Sequence, residues 1–123
     1  MNTKIFIEVI FSTKLFHHFS FGLRFVLLPY PAKGHIDKDF DNWINDNCKN
    51  FELIQIGSSL KFCYLAESKA NIYPRLGPTS EWDIAAGHII LEEAGGSVKD
   101  FNENILLYNT KESVINPNFI AKI

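Results

Sequence analysis

At 123 residues, with a net charge of −2 and a pI near 6.0, the chain has the length of one domain and lacks the basic field that nucleic acid or an anionic membrane would call for. Hydrophobic residues make up 46 % of it, yet no apolar run is long enough for a spanning helix. The two cysteines, Cys48 and Cys63, lie far apart on apolar faces without metal-ligand spacing, so buried thiols in a reducing, cytoplasmic compartment are expected.

Six of the eleven phenylalanines fall in the first 28 residues: Phe6, Phe11, Phe16, Phe19, Phe21 and Phe25. A signal peptide fits poorly, because Glu8, Lys14 and His17-His18 interrupt the apolar region and no small-residue cleavage site follows. Thr3 to Phe11 alternates poorly and reads as a strand or a hydrophobic tail. Adjacent histidines project to different sides of either element, so His17 and His18 make a poor metal pair. Arg24 to Leu28 is a short apolar run expected to be a buried strand, ended by Pro29 and Pro31.

A loop through Ala32-Lys33-Gly34-His35 leads to residues 37–50, where Phe40, Trp43, Ile44, Asn47 and Cys48 recur at helical spacing. Asp37, Asp39, Asp41 and Asp46 take the other side and read as a solvated face, since carboxylates so spread rarely converge on one cation. Residues 51–56 follow as a short strand bounded by Gly57. Gly57-Ser58-Ser59 before Leu60, Phe62, Cys63, Leu65 and Ala66 reads as strand, glycine turn and helix. Such a turn suits anions, with Ser58 and Ser59 offering hydroxyls and Lys61 a mobile positive charge, though glycine-serine turns before helices are also ordinary caps. Ala70 to Arg75 is the next expected strand. Pro74 places its last residues at a sheet edge and leaves Arg75 free to hold a phosphate or pair with a carboxylate.

The rest of the chain is organised around Thr79 to Gly96. Ser80 followed three residues later by Asp83 matches a capping box, and Gly95-Gly96 supplies a helix stop. Trp82, Ala85, Ala86, Ile89, Ile90 and Glu93 follow helical spacing and are expected to pack inward, with Glu92 left wet. Asp83 then sits in the first turn, where the helix dipole favours a negative charge. That is a common helix-start preference and equally a placement suited to a hard cation such as magnesium. Beyond the stop, Ser97–Asp100 and Ile105–Tyr108 read as short strands around a hairpin-like connection, and Phe119–Ile123 as a last strand. The alternation predicts a layered α/β unit with ligand groups at strand-to-helix turns.

Trp82-Asp83-Ile84-Ala85-Ala86-Gly87, followed by Glu93-Ala94-Gly95-Gly96, resembles the second signature of the inositol monophosphatase-like, metal-dependent phosphatases. Tyr73-Pro74-Arg75-Leu76-Gly77-Pro78-Thr79 is similar to the 3'(2'),5'-bisphosphate nucleotidase branch. The likeness extends through Gly57 to Cys63, Ile72 to Arg75 and Asn116-Pro117-Asn118-Phe119-Ile120. It covers residues 29–123 as the carboxyl-terminal half of that α/β sugar-phosphatase fold, and residues 1–28 stay unmatched.

The resemblance implies magnesium-dependent hydrolysis of a phosphate monoester. Intact relatives convert 3'-phosphoadenosine 5'-phosphate to AMP and phosphate, in the cytoplasm or peripherally at the inner membrane. It assigns Asp83 to metal and substrate, and His35, Ser58, Lys61 and Arg75 to the nucleotide. The family usually has Ser-Arg-Ser-His where this chain has Ala32-Lys33-Gly34-His35, so Lys33 and Gly34 depart from the pattern. His35 on its own is as readily a loop histidine without a partner.

The family's Asp-Pro-Ile/Leu-Asp-Gly-Thr signature, which carries further metal ligands, is absent: no aspartate here precedes glycine or proline. A single carboxylate binds magnesium weakly, so the chain is expected to hydrolyse little alone. It reads as a truncated derivative of the enzyme. The alternatives are an inert nucleotide-binding or interaction module and a decaying gene product. A halved fold exposes an edge and an apolar face that recruit a second copy or a separate amino-terminal half. The phenylalanine-rich segment is either a cover for that gap or a remnant under no structural demand.

Overall fold

Period-two alternation sorts the central strands between two layers of helix. In the computed structural model, which describes residues 24–28 and 38–123, Ile72 and Tyr73 are both buried but belong to separate hydrophobic clusters, as neighbours on a strand must when helices cover both faces. The elements run β1 (Arg24–Leu28), α1 (Lys38–Asn47), β2 (Phe51–Gln55), α2 (Leu60–Ala66), β3 (Ile72–Arg75), α3 (Glu81–Glu93), β4 (Ser97–Asp100) and β5 (Phe119–Lys122). They form a five-stranded mixed sheet ordered β2-β1-β3-β5-β4. Strands β2, β1 and β3 are parallel, while β5 runs antiparallel to both β3 and β4.

One face carries α1, whose Phe40 and Ile44, with Cys48 just past its end, pack with Val26 and Ile72. The other carries α2 and α3, with Phe62, Leu65, Ile84 and Leu91 against Tyr73, Val98 and Phe119. Phe62, Tyr73 and Phe119 form an aromatic knot in which Tyr73 meets the other two edge-on, at 5.8 and 5.6 Å between ring centres. Fully burying such a ring contributes about 1.5–3 kcal/mol, which fixes α2 on the sheet. Among the described residues no helix is long and apolar enough to cross a membrane.

Several expectations are corrected. Pro74 is not at an edge: β3 is interior, between β1 and β5. The ladder with β1 rests on the single pair Val26–Ile72, so the N–H that Pro74 lacks interrupts no pairing there. Residues 105–108 are not a strand; one bridge, Lys99–Ile105, is all that pairs. The Asp100 carboxylate instead takes the Asn102 and Asn104 N–H groups, each at 2.8 Å, and turns the chain away from β4. Cys63 is only half-buried, and no disulfide joins it to Cys48.

Helix α3 also turns the expected way round in length and the unexpected way in orientation. Its inward stripe is Ile84, Gly87, His88 and Leu91, whereas Trp82, Ile89 and Ile90 are exposed. Both stripes have helical period, so periodicity cannot choose between them. Close approach does: the Phe62 ring lies 2.5 Å from where a Cβ on Gly87 would stand, so only glycine lets α2 and α3 meet this closely. The helix ends in a Schellman motif, with the N–H groups of Gly95 and Gly96 donated to Glu92 and Leu91 carbonyls at 2.8 Å and Gly95 at φ +89°. The expectations for residues 1–23 and for His35 lie outside the described residues.

Candidate functional site

Because β2 and β3 are both parallel to β1, their carboxyl ends meet at one end of the sheet, bringing the Gly57–Ser59 turn beside Arg75. Helix α3 starts there too. The result is one cleft of about 430 Å³ lined by Ser58, Lys61, Arg75, Thr79, Trp82 and Asp83, among others. Four of the residues singled out in the sequence, Ser58, Lys61, Arg75 and Asp83, therefore share a cavity.

Asp83 occupies the third position of α3, and its Oδ2 accepts the Ser80 N–H at 2.8 Å, the carboxylate half of the expected capping box. Among the described residues Asp83 is the sole carboxylate lining the cleft, and no group of three or more histidine, cysteine, aspartate or glutamate side chains converges. One carboxylate and neutral hydroxyls do not fit a resident magnesium ion, which needs near-octahedral oxygen ligation.

Lys61 corrects the expectation of a mobile cation. It is 5 % exposed, and its ammonium donates to the Ile56 and Ser58 carbonyls, both at 3.0 Å, over the Tyr73 ring. Those bonds hold the turn in which Ser58 adopts φ +58°, a conformation that costs a non-glycine residue about 1–3 kcal/mol. An ammonium has three N–H donors, so one remains for a ligand. Burial, and secondarily the Arg75 charge, lower the Lys61 pKa from 10.5 to about 8. Arg75 donates from Nη2 to the Pro78 carbonyl at 3.2 Å, while its Nε is buried without a partner. Burial raises the neighbouring Tyr73 hydroxyl, and Arg75 partly offsets that effect.

The segment after β4 fixes the start of α3, a role the sequence did not disclose. Its Asn116 donates twice to Thr79, from N–H to the carbonyl at 2.8 Å and from Nδ2 to Oγ1 at 3.1 Å, and the Val114 carbonyl accepts the Glu81 N–H at 2.8 Å. The Glu81 carboxylate takes the Asn109 N–H at 2.9 Å and the Lys111 ammonium at 2.6 Å. These partners are 28 to 37 residues apart, and no local pattern announces them. Farther along α3, buried His88 lies between the Tyr108 hydroxyl, 2.5 Å from Nδ1, and the Glu92 carboxylate, 3.0 Å from Nε2. The neutral ring satisfies both bonds with Nε2–H donating to Glu92 and Nδ1 accepting from Tyr108. A histidine four residues before a glutamate was a visible signal for that pair. Burial, then the Glu92 and Glu81 charges, push the Tyr108 hydroxyl up to about 12.

Sheet, flanking helices and cleft define an α/β protein that presents its ligand groups at the carboxyl ends of parallel strands. The Inositol monophosphatase family pattern matches residues 29–122, and the chain belongs to that family. It is 43 % identical over 92 residues to the 3'(2'),5'-bisphosphate nucleotidase CysQ of Salmonella typhimurium, covering 75 % of this chain and 37 % of that protein. The CysQ of Escherichia coli is 40 % identical over the same shares. An uncharacterized protein in the pss 5' region of Rhizobium leguminosarum is 47 % identical over 76 residues, 58 % of this chain and 80 % of that one. The crystal structure of Bacteroides thetaiotaomicron CysQ superposes with a TM-score of 0.71 at 40 % identity, over 80 % of this chain and 36 % of that chain. The chain thus spans about 37 % of the length of the CysQ relatives.

Proposed function

We propose that this chain carries the nucleotide-facing side of a 3'(2'),5'-bisphosphate nucleotidase site and binds an adenosine bisphosphate without hydrolysing it alone. The supporting observation is that Ser58, Lys61, Arg75 and Asp83 line a single cleft of about 430 Å³. Two cations and a hydroxyl turn suit a phosphate dianion, with the buried Arg75 Nε and the remaining Lys61 N–H as donors. Magnesium, when bound in members of this family, supplies Lewis acidity to the phosphoryl group; here Asp83 offers one ligand and the rest must come from elsewhere. No hydrolytic step is therefore assigned to the isolated chain. The reading as an inert binding module and the reading as an enzyme remnant make the same claim about this cleft.

Titration calorimetry with 3'-phosphoadenosine 5'-phosphate tests it. Saturable heat that weakens at least tenfold in Arg75→Ala, with no phosphate released in the presence of magnesium, is the expected result. Absence of heat removes the binding reading. Phosphate release abolished by Asp83→Ala removes the claim that the chain is inert alone.

A further inference from the structure

The loop between β3 and α3 carries Pro78 and Thr79 into the lining of the cleft, and asparagine side chains from the stretch before β5 fasten it. Asn118 Oδ1 accepts the Gly77 N–H at 2.9 Å, at a φ of +131° that calls for glycine. Asn116 sends its N–H to the Thr79 carbonyl at 2.8 Å and its Nδ2 to Thr79 Oγ1 at 3.1 Å. From the cleft side, Arg75 Nη2 reaches the Pro78 carbonyl at 3.2 Å. The guanidinium is thereby tied to the residue next to Thr79.

Holding the start of α3 does not account for the Asn116 amide. Backbone bonds already do that work, from the Asn116 N–H to the Thr79 carbonyl and from the Glu81 N–H to the Val114 carbonyl. Asn116 is 5 % exposed, and its Oδ1 is buried without a partner among the described residues, an arrangement that costs stability. What Nδ2 achieves follows from the chemistry of the pair. An amide NH2 can only donate, so Thr79 Oγ1 accepts, and the single hydroxyl proton is turned towards another acceptor. Thr79 and Arg75 line the same cleft, and the Arg75 Nε is itself buried without a partner. A charged and a neutral donor side by side fit one oxyanion.

We propose that Thr79 is a further ligand contact, its hydroxyl donating to a phosphate oxygen held by Arg75, and that Asn116 is the positioning residue that turns this hydroxyl into the cleft. The inference rests on the reading of the cleft as a phosphate site. It adds a donor that keeps its proton at any pH at which the protein is folded, and it gives Asn116 a part in binding as well as in the fold.

Titration calorimetry of the full chain with 3'-phosphoadenosine 5'-phosphate tests it in Thr79→Val, Thr79→Ser, Asn116→Ala and the Thr79→Val, Asn116→Ala double variant. Thr79→Val keeps the shape of the side chain without the O–H and should bind on the order of tenfold more weakly. Thr79→Ser restores the O–H and should stay within about twofold of the natural chain. Asn116→Ala should weaken binding several-fold in the natural chain and not at all in the Thr79→Val background, because the amide acts through the hydroxyl. Inorganic phosphate titrated alone should lose the same factor in Thr79→Val as the nucleotide does.

Equal losses from Asn116→Ala in both backgrounds would make the amide merely structural and overturn its assigned role. Should Asn116→Ala not fold, the Thr79 pair decides: affinity unchanged in Thr79→Val, or lost equally in Thr79→Ser, overturns the inference. A loss seen with the nucleotide but not with inorganic phosphate also overturns it, by placing the hydroxyl on the nucleoside. In each of these cases weaker binding by Arg75→Ala leaves the phosphate reading of the cleft standing, whereas no heat from the natural chain removes both.

Discussion

The Phe62 ring fills the space that a side chain on Gly87 would need, with ring carbon Cδ2 at 2.5 Å and Cγ at 2.7 Å from the position of a Cβ. Phe62 cannot swing aside cheaply, because it is 1 % exposed and stacked on Phe119 with Tyr73 against its edge. In a free helix Gly87→Ala would stabilise by about 1 kcal/mol through helix propensity. Here the clash dominates, and the substitution is expected to destabilise by about 1–3 kcal/mol, read as a fall in the urea midpoint at constant slope. Because α2 starts at the Ser58–Lys61 turn, the same variant should also weaken nucleotide binding. A midpoint equal to or above that of the natural chain would show that α2 and α3 are free to separate.

That contact also explains what could be read in advance. The strands and helices of residues 51–100 were legible because each obeys its own period and its own stop signals, and Asp83, Ser58, Lys61 and Arg75 could be nominated from strand-to-helix turns and family likeness. Which stripe of α3 faces inward was not legible, since Trp82 and Ile89 repeat as regularly as Ile84 and Leu91. The glycine in the middle of the true stripe was the available clue. Nor could one-dimensional pattern show Lys61 bent back onto its own turn, or the segment at 105–118 leaving the sheet to hold Thr79 and Glu81. Those arrangements depend on partners brought together by the fold.

Tyr108→Phe removes the hydroxyl that faces His88 Nδ1 and leaves a buried acceptor unpaired. The expected destabilisation at neutral pH is about 1–3 kcal/mol, measured by urea unfolding. The alkaline limb should change as well. Folding raises the Tyr108 pKa from 10.0 to about 12, so the unfolded chain releases its proton first. Its contribution is complete below pH 10 and is lost as pH rises towards 12. Stability of the natural chain should therefore fall more steeply across that window than stability of Tyr108→Phe; parallel curves would show that the hydroxyl is not buried as described.

Lys61 gives the cleft a pH dependence of its own. With its pKa lowered to about 8, the ammonium of the free protein loses its proton just above neutrality, while a bound phosphate dianion favours the charged form. Affinity for 3'-phosphoadenosine 5'-phosphate should then decline as pH rises beyond about 8, by several-fold between pH 7 and 9 in calorimetry. Lys61→Met should bind more weakly at pH 7 and show a flatter profile. A profile that is flat in the natural chain would mean that the ammonium is spent entirely on the Ile56 and Ser58 carbonyls.

Glu81 ties the segment after β4 to the first turn of α3 through Asn109 and Lys111, and the order of the causes matters for what acid does to it. The bond from the Lys111 ammonium, followed by the Asn109 N–H, lowers the Glu81 pKa from 4.5. The tie is therefore present above pH 4.5 and is lost as pH falls through the lowered value, when the carboxyl takes up a proton and no longer attracts the ammonium. Glu81→Ala should reproduce the acid state at neutral pH. Amide exchange followed by NMR is expected to accelerate at Asn109, on the order of tenfold, because its acceptor is gone. The Glu81 amide itself should remain protected, since it donates to the Val114 carbonyl and not to a side chain. Equal acceleration at both amides would mean that the whole segment detaches when Glu81 is removed, and that Asn116 and Thr79 do not hold the start of the helix independently.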